Sequence, residues 1–199
     1  MNKYKDIFKK NLTMMVLIIL VISISIFAIN LFSSKKDVIQ NVGGSFLLKD
    51  HEGSYFNSKS IKKKKLIYFG YTYCPDICPM DVLKISQVYD LNNDLKNELL
   101  PIFITVDPER DDQNTVKNFI ENFNDAFIGL TGTTKEIDEV VKSFKIYVNY
   151  NKKNKNDNTY LVDHSSLIFI IDENDNFLAL LRPNEINIDN INKYLKEII

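Results

Sequence analysis

Cysteine is scarce in this chain: two in 199 residues, with only two histidines beside them. Thiol or soft-metal chemistry therefore has one place to happen, and both cysteines sit within Leu66–Met80. Charge of one sign is lacking as well. Twenty-five Lys and Arg meet 26 Asp and Glu, a net charge of -1, which leaves no electrostatic case for nucleic acid as a partner. Neither an internal repeat nor a second hydrophobic core is visible, so the length fits one globular domain and an appendage. An Arg-rich presequence is missing too, which favours a bacterial source. Hydrophobic residues reach 45% and aromatics 12%, enough for a buried core rather than a disordered chain.

The appendage comes first. Lys3, Lys5, Lys9 and Lys10 oppose one Asp6 in residues 1–11. Leu12 to Phe32 is then almost wholly apolar, broken only by Thr13, Ser23, Ser25 and Asn30. A helix of that length spans a hydrocarbon core, and it exceeds the apolar region of a cleavable signal. No small-x-small cleavage site follows, since Ala28 has Ile26 two positions before it. The segment reads as an uncleaved signal anchor in the lipid bilayer, with cleavage as the alternative. Its basic flank stays in the cytoplasm and everything after Phe32 is exported. Residues 33–41 form a linker, and 42–199 the domain.

Within the domain, Ser45–Asp50 and Ser54–Phe56 read as a hairpin turning at His51-Glu52-Gly53, with His51 solvated. Lys62 to Lys65 reads as a solvated turn guarding a sticky strand. Leu66–Gly70 is continuous enough for a central strand. Ile85, Val88, Leu91, Leu95 and Leu99 form one helical stripe. Pro101–Val106 is a second buried strand, Val116, Phe119, Ile120 and Phe123 a second helical face, and Phe127–Leu130 a short strand. Thr133 with Glu136 has the spacing of a capping box before Ile137, Val140, Val141 and Phe144. Asn149–Asn158 reads as an exposed loop. Leu167–Ile171 and Phe177–Leu181 make a terminal hairpin, and Ile188, Ile191, Leu195 and Ile198 an amphipathic helix. Strands alternating with helices give an α/β sheet covered by helices on both faces.

The cysteines form Cys74-Pro75-Asp76-Ile77-Cys78-Pro79, a C-x3-C pair at a strand end. Two thiols so close can hold a soft metal, cycle through a disulfide, or pair as a structural clip. A cysteine just before a helix meets the positive end of the helix dipole, which favours thiolate, both nucleophile and metal ligand. Pro79 suits a first turn and not a helix interior, so the helix is expected from about Pro79, with Cys74–Cys78 as a tight loop. A metal needs a further ligand. His164, in Val162-Asp163-His164-Ser165, reaches the cysteines if Leu167–Ile171 lies beside Leu66–Gly70. Two thiols and an imidazole are too few for structural zinc but suit copper; the plain alternative is a hydrogen-bonded turn histidine.

Gly70-Tyr71-Thr72-Tyr73-Cys74-Pro75-Asp76-Ile77-Cys78-Pro79 resembles the copper motif of the SCO/SenC family of cytochrome c oxidase assembly proteins. Three further blocks resemble that family in the same order: Thr105–Asp111, Gly129–Thr133 and Tyr160–Ser165. The similarity runs from about Phe46 to the C-terminus. It implies a thioredoxin-like domain, a central mixed sheet flanked by helices, binding one copper, Cu(I) or Cu(II), through Cys74, Cys78 and His164. It also implies a place in assembling the binuclear copper site of oxidase subunit II, with other copper carriers as partners. The expected location is the inner membrane, single-pass, with the domain in the periplasm, or in the mitochondrial intermembrane space as the alternative. No proline lies near His164 where thioredoxins carry a cis-proline.

Two rival functions remain at this stage. An exported thiol-disulfide oxidoreductase would use Cys74 and Cys78 as redox thiols, although its usual spacing is two residues rather than three. A structural module with a permanent clip disulfide would use neither chemistry. A peroxidase fits less well, because Thr72 stands two residues before Cys74 instead of three. Asp107 and Asp163 are candidates for orienting His164 or for docking. Asp107–Asp111 has an equally good local reading as turn and helix-start chemistry.

Overall fold

The computed structural model describes residues 14–28, 42–91, 93–154 and 157–182, the side chains of 93–95 excepted. The chain divides into two units, Met1–Asn41 and Val42–Ile199. In the first, residues 14–28 form helix α1. Among the described residues, no helix is long and apolar enough to cross a membrane. The anchor expected over Leu12–Phe32 extends beyond the described residues at both ends, and the amphipathic helix expected from Ile188 lies outside them.

The second unit is built on strands β1 (Leu47–Asp50), β2 (Tyr55–Asn57), β3 (Lys64–Gly70), β4 (Leu99–Thr105), β5 (Ile128–Thr131), β8 (Ile168–Ile171) and β9 (Phe177–Leu181). They form one sheet in the order β2-β1-β5-β4-β3-β8-β9. β3, β4 and β5 are mutually parallel, while β8 lies antiparallel to β3 and β1 antiparallel to β5, so the sheet is mixed. Leu66, Ile67, Tyr68 and Phe69 are all buried in β3, as are Ile102, Phe103 and Ile104 in β4. Successive strand residues point to opposite faces, so runs of this kind require cover on both. Helices α2 (Ile77–Leu91), α3 (Asn93–Glu98), α4 (Gln113–Ile120) and α5 (Thr134–Ser143) connect the strands. The fold is thioredoxin-like.

Local chemistry fixes the helix starts. Asp112 caps α4 by accepting from Thr115 N at 2.8 Å. Thr133 and Glu136 form the expected reciprocal capping box on α5. The hairpin β1–β2 and the pairing of β8 with β9 also lie where the alternation placed them.

Four expectations are corrected. Lys64 and Lys65 are not a solvated turn but open β3, and Lys65 is fully buried. It is held there by Asp175, whose Oδ1 lies 2.7 Å from its Nζ in the β8–β9 turn. The stripe through Leu99 breaks: α2 ends at Leu91, which is exposed, and Leu99 opens β4. Part of the expected loop Asn149–Asn158 is ordered pairing. β6 (Val148–Tyr150) and β7 (Val162–His164) form a separate two-stranded sheet in which Val148 faces His164. Tyr150 also donates to Val106 O at 2.7 Å, tying this hairpin to the end of β4. Finally, His51 is not a solvated turn residue, because its Nδ1 accepts from Gly129 N at 3.2 Å.

Candidate thiol and metal site

The C-terminal end of β3 delivers the chain into the cysteine loop. Gly70 is the last strand residue, and a Cβ there would meet Tyr68 Cε1 at 2.9 Å, Phe103 Cε2 at 3.0 Å and Cys78 Sγ at 3.2 Å. Its missing side chain is the space that the Cys78 sulfur fills. The helix begins at Ile77, two residues before the expected start, so Cys78 belongs to its first turn rather than to the loop. Pro79 is still within that turn, where its missing N–H leaves no bond unmade.

This start makes the two sulfurs unequal. Cys74 precedes the helix and accepts from Cys78 N at 3.4 Å. The Cys78 thiol, and with it the backbone N–H groups of Cys78, Asp76 and Ile77, holds the Cys74 thiol down at about 5. Cys78 is completely buried, and its thiol is pushed far up, first by donating to Cys74 and then by desolvation. The helix start thus favours thiolate on the half-exposed Cys74 that precedes it.

His164 arrives from the last residue of β7. β8 does lie beside β3, with Ile168 opposite Tyr68, and the connection brings His164 Nε2 to 3.3 Å from Cys78 Sγ. Its Nδ1 faces Ser165 O at 3.1 Å. A carbonyl only accepts, so Nδ1 carries the proton, and Nε2 is an acceptor that competes with Cys74 for the single Cys78 S–H proton. Burial lowers the imidazole's proton affinity and keeps it in this neutral, ligand-competent form. The Tyr71 ring stands edge-on to it at 5.8 Å. Tyr71, Cys74, Pro75, Ile77, Asp163 and His164 line an open cleft of about 300 Å³.

Cys74, Cys78 and His164 are therefore together in space, as pairwise contacts. Among the described residues, no group of three or more His, Cys, Asp and Glu side chains is gathered tightly enough to hold a metal ion. Both cysteines are free thiols, so no clip disulfide is present in this structure. Asp107 and Asp163 do not orient the imidazole. Asp107 pairs with Arg110 Nε at 2.6 Å and accepts from the Tyr160 hydroxyl at 2.6 Å, while Asp163 accepts from Asn151 at 2.9 Å. Arg110 lies 3.6 Å from the centre of the Tyr160 ring and donates to Tyr160 O at 2.8 Å, which pins the approach to β7. Asp111 accepts from the hydroxyls of Thr72 and Thr105, each at 2.6 Å, and steadies the loop before Cys74.

The sequence reading missed a buried polar group beside Cys78. The Tyr68 hydroxyl donates to Asp81 Oδ2, one turn along the helix from Cys78, at 3.2 Å. Ser166 Oγ donates to the same oxygen at 2.6 Å. In sequence, Tyr68 reads as one more apolar strand residue and Asp81 as a helix-surface acid, so no local signal marks either.

A thioredoxin-like domain with a C-x3-C pair at a helix start and an imidazole in contact with it defines the class. The SCO1/SenC family model matches residues 34–199, and the chain belongs to that family. A SCO2-like protein of Rickettsia prowazekii is 39% identical over 148 residues, 74% of this chain and 72% of its own. The structure of Bradyrhizobium japonicum ScoI with copper bound superposes with a TM-score of 0.71 at 34% identity, covering 79% of this chain and 99% of that one. BsSco, described as a member of the Sco family of cytochrome c oxidase assembly proteins with a disulfide switch, matches at a TM-score of 0.61. It is 27% identical, over 79% of this chain and 94% of its own.

Proposed function

We propose that this protein is a membrane-anchored copper chaperone that carries one copper ion on Cys74, Cys78 and His164. Its recipient is the binuclear copper site of cytochrome c oxidase subunit II. The observation that carries the reading is the 3.3 Å contact between Cys78 Sγ and His164 Nε2, 86 residues apart in sequence. Two thiols and a neutral imidazole are soft and borderline donors, suited to Cu(I) and tolerant of Cu(II). Three protein donors leave a position open, and a carrier needs one if its cargo is to pass to another protein. Closing the set on one ion requires Cys74 Sγ and His164 Nε2 to draw in on either side of Cys78, and binding releases the Cys78 proton. In this reading residues 12–32 are the anchor, 33–41 the linker, and the domain faces the periplasm, where lipid holds it near its recipient.

The test is copper titration of the reduced full-length protein, wild type beside His164→Ala. One copper per chain is expected, with affinity falling at least tenfold in the variant while the fold is kept. Equal uptake by both would remove His164 from the site.

One observation favours a second role on the same residues. A thiolate-biased, half-exposed Cys74 beside a buried, protonated Cys78 is the arrangement of an attacking and a resolving thiol. On this alternative the protein reduces a disulfide between the copper-ligand cysteines of its recipient to two thiols and itself ends with a Cys74–Cys78 disulfide. The reductase role should survive His164→Ala; the carrier role should not.

A further inference from the structure

His164 reaches Cys78 from a segment whose nearest hydrogen bonds run elsewhere. Its ring is bonded to its own neighbour, Ser165 O. Ser165 in turn pairs with Tyr147, its N donating to Tyr147 O at 3.0 Å and its Oγ accepting from Tyr147 N at 3.2 Å. These bonds hold the segment to the β6 side of the hairpin, not to the helix that carries the cysteines. The link to that helix is made two residues on, where Ser166 Oγ donates to Asp81 Oδ2 at 2.6 Å.

Asp81 lies one helical turn beyond Cys78 in α2 and is only 4% exposed. A carboxylate removed from water is costly unless its oxygens are bonded, and here they are shared among three elements. Oδ2 accepts from Ser166 after β7 and from Tyr68 of β3, and Oδ1 lies 3.6 Å from Lys84 Nζ on its own helix. The Tyr68 and Ser166 hydroxyls are themselves 3.3 Å apart. The cysteine helix, the strand beneath the cysteines and the histidine segment thus meet on one buried acid.

We infer that Asp81 is a positioning residue that sets the separation between His164 and Cys78, through Ser166, without touching the metal. The inference rests on the reading that His164 is a copper ligand. Asp81 leaves the thiols where they are, since Cys78 is seated by Gly70 and Cys74 by the first N–H groups of α2. Its loss unties Ser166, and with it the imidazole, and leaves the Tyr68 hydroxyl with Ser166 as its neighbour.

The test is a double-mutant cycle on the reduced full-length protein. Asp81→Ala is expected to weaken copper binding by about 10–100-fold in the wild-type background, and by less than about twofold in a His164→Ala background, where nothing is left to position. Asp81→Asn keeps an acceptor for Ser166 and should restore most of the affinity. Equal losses in both backgrounds, or no loss in the first, would overturn the assignment. Ser166→Ala cuts the same link from the other side and decides the matter if Asp81→Ala does not fold. The metal-free protein gives an independent reading by NMR. In Asp81→Ala, residues 163–166 should gain motion and the His164 ring should lose its contact with Cys78. A contact that persists sinks the proposal whatever copper does. Unchanged copper binding in His164→Ala alone sinks the ligand assignment instead, and the two failures are told apart.

Discussion

Strand β3 buries polar groups at both of its ends, and it treats them in opposite ways. At its start, Lys65 pairs with Asp175 at 2.7 Å, with neither side chain more than 1% exposed. Ser58 donates to the other Asp175 oxygen at 2.7 Å and accepts from Phe46 N at 2.9 Å, and Lys65 Nζ also donates to Asp172 O at 3.4 Å, so each member of the cluster is partnered. At its finish stand two thiols and an imidazole with one mobile proton among them and a lone pair still directed at a sulfur. The first cluster is saturated and can only hold. The second is assembled but unfinished, and its spare donor capacity is what an incoming metal or disulfide partner can use. A buried polar group is a stability device when every valence is met and a reactive one when some are left over.

The largest expected effect comes from breaking the saturated end. Lys65→Met strands the Asp175 carboxylate and should lower unfolding free energy by about 3–5 kcal/mol, read by urea denaturation. The double variant Lys65→Met/Asp175→Leu should recover much of that loss, because both charges are gone. Copper stoichiometry in the folded fraction should not change, which would show that the two ends of the strand act independently. A fall in stoichiometry would join them.

Next in size is the seat of the buried sulfur. Gly70→Ala puts a methyl against Tyr68, Phe103 and Cys78 Sγ, all within 3.2 Å. Overpacking of this kind should cost about 1–3 kcal/mol and, unlike Lys65→Met, should weaken copper binding out of proportion to its effect on stability. Loss of stability with unchanged affinity would mean the sulfur has room to move.

The last expected effect is a dependence on pH. Folded Cys74 keeps its thiolate down to about pH 5, whereas an ordinary thiol protonates near 9.0. Between those values the unfolded chain binds the extra proton, so stability from this group is complete above pH 9 and is lost as pH falls through 5. Alkylation of Cys74 should accordingly follow a midpoint near pH 5, with Cys78 unreactive throughout. Cys78→Ala removes the thiol that donates to Cys74, the main source of the depression, and should raise that midpoint by about 1–2 pH units. An unmoved midpoint would assign the effect to the backbone N–H groups alone.

Much of this architecture is legible residue by residue. The apolar runs of β3 and β4, the Thr133–Glu136 box and the paired strands near the end of the chain each follow from a pattern shorter than ten residues. What reads wrongly does so for one reason. Lys65, His51 and Tyr150 carry side chains that look solvated by type, and each is kept from water by a partner 44 or more residues away. No window of sequence contains both members of such a pair. The same holds for Leu99, whose helical spacing is honoured on paper and overruled by its parallel pairing with Lys64.

The sequence alone determined the chemistry available: two thiols four residues apart before a helix, one histidine late in the chain, and the four ordered blocks that resemble a family. Local order sufficed because spacing, proline placement and the direction of a helix are short-range properties. The tertiary structure alone decided which thiol is the thiolate, where the imidazole stops and which buried acid holds it there. Those depend on burial and on hydrogen bonds between segments that only folding brings into contact, and electrostatic energies of that kind have no address in a linear chain.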